Sequence, residues 1–216
     1  MSAALASGLQ EGLAALGLSL TQAQVTQLLD YQGLIAKWNQ VYNLTAVRAS
    51  QEMLTHHLLD SLAVVLPLRQ KMAGPGALLD VGSGAGLPGV VLAITCPELA
   101  VTCVDTVAKK AAFVQQVAVT LGLPNLKGLH ARVETLSGPY DIISARAFSS
   151  LPDLVAGSRQ ALASKGIWLA MKGKDPQEER AALPPDVDVF HVEPLTVPGL
   201  SAERCIVWMR LATQGS

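Results

Sequence analysis

Charge is scarce in this 216-residue chain. Asp, Glu, Lys and Arg make up 15% of it, and 16 basic against 17 acidic residues leave a formal net charge of −1. So near a balance offers no global attraction for nucleic acid, and any such binding must come from a local basic patch. Cysteine is sparse as well: Cys96, Cys103 and Cys205 are odd in number and share no C-x-x-C spacing, which supports neither a disulfide framework nor a zinc site. No metal is expected. The uncharged run Val81 to Pro97 is broken by glycines and prolines and falls short of the roughly 20 apolar residues of a membrane span. Met1-Ser2-Ala3-Ala4-Leu5 has no basic residue of the kind that opens a secretory signal. A cytoplasmic protein with reduced thiols and no membrane association is therefore expected. There is no internal repeat or low-complexity tract.

Apolar residues, by contrast, form half of the chain. That fraction excludes disorder and predicts a sheet buried on both faces. The length suits one domain, read as an N-terminal helical extension over 1–73 and an α/β core over 77–212.

The most informative segment is Leu78-Leu79-Asp80-Val81-Gly82-Ser83-Gly84-Ala85-Gly86-Leu87-Pro88-Gly89, a buried strand that breaks into a glycine turn opening a helix. Glycines there let the chain turn at positive φ and let a ligand lie against the peptide plane. Two cofactor chemistries could use this loop. Gly84, Gly86 and Gly89 match the dinucleotide pattern G-x-G-x-x-G, with Asp105 about 20 residues further on. Asp80, Gly82, Gly84 and Gly86 match D-x-G-x-G-x-G, the pattern of an S-adenosylmethionine loop. The carboxylate favours the second reading, because Asp80 would repel a pyrophosphate at the helix N-terminus yet attract a sulfonium and an amino group.

Periodicity predicts helices near 3–16, over Thr21 to Gln40 with Thr21 as its cap, and over Ser50 to Leu66. Gly74-Pro75-Gly76 then separates this prelude from an alternating region. Strands are expected at Leu78 to Val81, Ala100 to Asp105, Leu126 to Ala131, Tyr140 to Ala145 and Gly166 to Met171. Helices are expected near Pro88 to Ile94, Val107 to Leu121 and Leu151 to Leu162. The alternation implies a doubly wound, mostly parallel sheet. Val187 to Val192 and Arg204 to Leu211 read as a closing antiparallel strand pair, and Lys172 to Asp186 as an exposed connection or short helix.

Ligands of such a sheet bind past the carboxyl ends of its strands. The first strand is followed by Gly82 to Leu87. The second ends on Asp105, which could accept from both hydroxyls of a ribose or could cap the next helix. Past the third come Val133 and Glu134, where backbone groups or the Glu134 carboxylate could read an adenine edge; Glu134 could equally be solvated. Arg146 past the fourth could pair with a methionine carboxylate or a phosphate. Lys172 and Lys174 past the fifth suit phosphate, or a solvated turn. His57 and Asp60 share a face of the expected helix, where a surface hydrogen bond is the simpler reading and an RNA contact the other. Arg48, Arg69 and Lys71 are further candidate phosphate contacts. Phe148 is a candidate stacking face for a base, or a core residue.

Several of these segments together resemble the bacterial 16S ribosomal RNA guanine-N7 methyltransferase family, also called glucose-inhibited division protein B. The resemblance rests on Trp38-Asn39 with Asn43-Leu44-Thr45, on His57 to Leu62, on Leu79 to Gly89 and on Arg146-Ala147-Phe148 with Lys172-Gly173, and it spans about residues 10–210. It implies a Rossmann-like class I methyltransferase fold and S-adenosylmethionine as donor. The acceptor it implies is N7 of guanine 527, in ribosomal numbering, of 16S rRNA in the small subunit. Cofactor contacts are implied at Gly82, Leu87, Val133, Glu134 and Arg146. A monomer that binds no DNA is expected. Cys205, where relatives often carry histidine, and Ala145, where serine often stands, depart from the family pattern.

N7 of guanine has a free lone pair and no proton to lose, so its methylation needs no general base, and no acid–base constellation is evident here. The rival classes are an NAD-linked oxidoreductase and an RNA-binding protein with a vestigial cofactor pocket.

Overall fold

A computed structural model describes residues 3–72 and 74–212. Three helical segments precede the sheet. Helix α1 spans Ala3–Ala15 and α2 spans Gln22–Tyr42. Thr21 caps α2 as expected, in a reciprocal box in which its hydroxyl accepts from the Gln24 amide while the Gln24 side chain accepts from Thr21. Asn43 ends α2 in the left-handed region at φ 48°, and Asn39 holds the next turn by accepting from the Thr45 amide at 2.9 Å.

The third segment departs from the helix expected over Ser50 to Leu66. It runs as α3 (Ser50–Met53), a π-helical stretch at Leu54–Leu59 and α4 (Asp60–Leu62), followed by α5 (Val65–Lys71). A π turn holds more residues than an α turn, so positions three apart no longer stack on one face. His57 and Asp60 accordingly point to different partners.

The alternating region forms a seven-stranded sheet in the order β3-β2-β1-β4-β5-β7-β6, with β1 Gly76–Val81, β2 Leu99–Asp105, β3 Leu126–His130, β4 Tyr140–Arg146, β5 Leu162–Lys172, β6 Val187–Leu195 and β7 Arg204–Leu211. Strands β1 to β5 are parallel, and β7 runs antiparallel between β5 and β6, as the pattern predicts. Helices α6 (Gly89–Thr95), α7 (Ala108–Thr120), α8 (Leu151–Ser158) and α9 (Gln177–Ala181) make the connections. Helix α8 is shorter than expected. A 3-10 turn at Arg159–Ala161 ends it, and β5 begins four residues before Gly166.

Each face of the sheet has its own core. One joins the N-terminal helices, α6 and α7 around Leu78, Val101 and Ile142; the other packs α8 against Leu79, Ile143 and Trp168. The strand order reverses between β1 and β4, which leaves a crevice past their carboxyl ends where ligands of open α/β sheets bind. No helix among the described residues is long and apolar enough to cross a membrane.

Candidate active site

The glycine loop is held on three sides. From β2, the Val104 carbonyl accepts from the amides of Gly82 (2.9 Å) and Ser83 (3.2 Å), and Asp105 Oδ2 accepts from the Gly84 amide at 3.0 Å. From β1, Asp80 Oδ2 accepts from the Gly89 amide at 2.9 Å, and its Oδ1 accepts from Ser144 Oγ at 2.8 Å. From α2, the buried hydroxyl of Tyr31 donates to the Ala85 carbonyl at 2.6 Å.

Gly84 has φ +59° and its missing Cβ would face open space, with nothing nearer than the Gly82 carbonyl at 4.0 Å. Its backbone is available to a ligand. Gly86, at φ +88°, differs: a Cβ there would run into Val90, Val114 at 3.2 Å and the Tyr31 hydroxyl at 3.4 Å. Gly86, expected as a cofactor contact, lines neither cavity; its missing side chain instead admits the helices packed behind the loop.

Asp80 is also corrected. It is fully buried and lines neither cavity, since both of its oxygens turn back to α6 and β4. Burial raises its carboxyl from 3.8 to about 6, against the opposing hydrogen bonds from Ser144 and Gly89. An internal carboxylate thus already occupies the N-terminus of α6, where a dinucleotide would need to place its pyrophosphate.

Two adjoining cavities open past the strands. The larger, about 580 Å³, is lined by Gly82 to Ala85, Leu87, Lys110, Arg146 to Phe148, Met171 to Gly173, Arg204, and Leu44, Thr45, His56, His57 and Asp60 from the N-terminal segments. The smaller, about 280 Å³, is lined by Asp105 to Val107, Lys110 and Ala131 to Glu134. Gly82, Lys110 and Phe148 border both. Phe148 sits against Gly82 at the junction, with Ala147 before it at φ +52°.

The structure brings Gly82, Gly84, Leu87, Asp105, Val133, Glu134, Arg146, His57, Phe148 and Lys172 to these cavities. Several carry duties other than those expected. Asp105 Oδ1 accepts from the Val107 amide at the start of α7, close to the capping role expected of it, while Oδ2 holds Gly84, a contact not expected, and Lys110 lies 3.9 Å away. Arg146 is tied within the protein, its Nη1 donating to Asp60 Oδ2 and to the His56 carbonyl, both at 2.8 Å. His57 makes no bond to Asp60. Its Nε2 meets Thr45 Oγ1 at 2.8 Å, it is buried rather than on the surface, and burial holds its imidazole below the ordinary range.

The candidate phosphate contacts either meet protein groups or stand outside the two cavities. Lys172 is paired with Glu179 at 2.8 Å and donates to the Ser149 carbonyl. Arg48 donates to Asn43 Oδ1, Arg69 to the Thr95 carbonyl, and Lys71 lies over the Phe190 ring; none of the three lines the two cavities, nor does Lys174. Cys205 and Ala145 are buried and line neither cavity.

Arg204, Lys110 and Tyr31 are site residues that sequence reasoning missed, and Asp60 was expected only on a surface face beside His57. Asp60 stands inside a quoted motif and Arg204 opens an expected strand, but no periodicity joins residues 144 positions apart. Tyr31 reads as an ordinary core position of an amphipathic helix.

Solved structures with this architecture include TrmN from Thermus thermophilus (20% identity, TM-score 0.57, 73% of this chain and 53% of that one) and a SAM dependent methyltransferase from Aquifex aeolicus (17%, 0.54, 73% and 92%). At such identities they establish the Rossmann-like methyltransferase fold. Sequence relatives go further. The protein named ribosomal RNA small subunit methyltransferase G of Acidovorax sp. (strain JS42) is 69% identical over 211 residues, 94% of this chain and 93% of its own length. The protein of that name from Polaromonas sp. (strain JS666 / ATCC BAA-500) is 67% identical over 207 residues, 94% and 92% of the two chains. The family model described as rRNA small subunit methyltransferase G matches residues 24–207, so the chain belongs to that family.

Proposed function

We propose that this protein transfers a methyl group from S-adenosylmethionine to N7 of a guanine in 16S rRNA, position 527 in ribosomal numbering, and does so in the cytoplasm. The observation that carries the donor assignment is the open backbone face at Gly84, together with the carboxylate of Asp105 beside it and two joined cavities rather than one. The residues present fit such a donor. Asp105 retains lone pairs for ribose hydroxyls after holding two amides, and Val133 and Glu134 border the cavity that would take the adenine. Arg146, with Nη1 held by Asp60 and His56, offers the remaining edge of its guanidinium to a carboxylate.

When bound, the donor supplies an electrophilic methyl group. The chain supplies position: N7 carries its own lone pair, so no side chain needs to remove a proton, and holding N7 in line with the methyl can remove several kcal/mol of barrier, up to about 7–11. The target base must leave its stack or already be exposed in a loop, and Phe148, which lines both cavities, would meet it. Lys110 and Arg204, both lining the larger cavity, would meet backbone phosphate. The test is incubation with labelled S-adenosylmethionine and unmodified small ribosomal subunits, with mapping of the product. Methylation at one guanine N7 is expected; label on another base, or none, overturns the assignment.

A further inference from the structure

The larger cavity holds one carboxylate set between two guanidiniums. Asp60 is 3% exposed, its Oδ2 accepts from Arg146 Nη1 at 2.8 Å, and its Oδ1 accepts from Arg204 Nε at 2.8 Å. The arginines come from opposite sides, Arg146 from the tip of β4 and Arg204 from the start of β7, while Asp60 follows the π-helical stretch. That stretch matters to the geometry. The Asp60 amide donates to the carbonyls of His57 and Thr55, which leaves the His56 carbonyl free of the intervening helical bond; it accepts from Arg146 instead. Two acceptors from this one segment therefore converge on the same nitrogen, Nη1. The Arg204 side chain is fixed a second time by its bond to the Glu203 carbonyl.

We propose that Asp60 is a positioning residue that sets both cavity arginines, Arg146 toward the methyl donor and Arg204 toward the RNA. This rests on the methyltransferase reading above. An arginine on a strand tip has several rotatable bonds and loses little by swinging into solvent. A buried carboxylate with both oxygens engaged removes that freedom, and a fixed donor edge is worth more to a reaction that runs on alignment than a mobile one. Electrostatics points the other way. One negative charge between two positive ones lowers the attraction of the cavity for a carboxylate or phosphate, so a residue present only to attract anions would not be an aspartate. The role is geometric, and it predicts a particular kinetic pattern: removing the Asp60 charge should leave ground-state capture of RNA intact while the chemical step slows.

The test is Asp60→Asn, measured as donor affinity by calorimetry and as kcat and KM on small ribosomal subunits. The expected result is a kcat at least tenfold lower, a donor affinity several-fold weaker and a KM for the RNA that does not rise. A folded variant with wild-type kcat and donor affinity overturns the proposal. So does a variant that loses only KM, which would make Asp60 part of the RNA contact surface. Unpairing a buried ion pair can destabilise a fold, so Arg204→Gln is the second variant, with the double variant as its control. If Asp60 acts through Arg204, the losses in kcat will be far from additive; additive losses overturn the link. Where Asp60→Asn does not fold, Arg204→Gln carries the test through kcat, which should fall several-fold while donor affinity holds because Asp60 still sets Arg146; an unchanged kcat overturns the proposal. A wild-type protein that binds no S-adenosylmethionine would instead defeat the functional reading itself.

Discussion

Asp80→Asn separates what the fold needs at this position from what the ionised group does. Asp80 is fully buried, and burial lifts its carboxyl from 3.8 to about 6. Between those values the folded chain holds the proton that the unfolded chain releases, so the contribution of Asp80 to stability is present below pH 3.8 and is lost as pH rises through 6. At roughly 1.4 kcal/mol for each pH unit, the difference amounts to about 3 kcal/mol at neutral pH. Asparagine has the same shape. Its carbonyl can accept from the Gly89 amide, and its amide can donate to Ser144 Oγ, a hydroxyl free to rotate and accept, so neither partner is stranded.

Urea unfolding of wild type and Asp80→Asn should therefore give nearly equal stabilities at pH 4. The variant should become the more stable by up to about 3 kcal/mol at pH 7.5. Taking the difference between the two proteins cancels the titration of every other carboxyl. A difference that stays flat from pH 4 to 7.5 refutes the reasoning, because Asp80 would then not be titrating in that window. Keeping a destabilising charge has a use if the positive groups of the donor feel it through the loop, so donor affinity should fall in the variant whose stability rises.

Gly84→Val places a β-branched residue at φ +59° with its side chain over the open face of the loop; the fold should survive in circular dichroism while calorimetry detects no donor binding. Asp105→Ala removes acceptors from both Gly84 and Val107, so thermal melts should show about 1–3 kcal/mol lost and donor affinity should fall as well; loss of only one of these would split the two roles. Tyr31→Phe, on a helix remote in sequence from the loop, should lower stability by about 1–3 kcal/mol by leaving the Ala85 carbonyl unpaired, and should weaken donor binding measurably. Arg146→Lys offers one ammonium where two protein acceptors and a ligand carboxylate need separate N–H groups; its methylation rate should match that of Arg146→Ala, and wild-type rates would refute the fork.

The parallel core was legible because two signals alternate along the chain: short apolar runs such as 78–81 and 101–105, then a helical period. The C-terminal antiparallel pair was legible for the opposite reason, the failure of a helical pattern between Pro194 and Ser201. What could not be read was register inside the helical prelude. Leu54–Leu59 has the composition of an α-helix and becomes a π stretch under tertiary demands, as the bond from Arg146 to the His56 carbonyl and the bond between Thr45 and His57 indicate. The misreading of Asp80 has a similar origin. Sequence places a carboxylate before the glycines but does not say which way β1 presents it, and alternation along the strand turns it toward Ser144 and α6.

The division into helical extension and sheet core is a convenience of sequence, since the site does not respect it. The loop that would carry the donor rests on Tyr31 from α2, and the arginine at the tip of β4 is held by Asp60 and His56 from the segment before α5. Thr45 and His57 close the same cavity from the N-terminal side. A strand tip and glycine turn alone would leave Arg146 without its two acceptors and Ala85 without its donor. The helices that precede the sheet therefore supply the rigid side of the cleft, and alignment of two reactants, which is what this chemistry asks of the protein, depends on them as much as on the glycine loop.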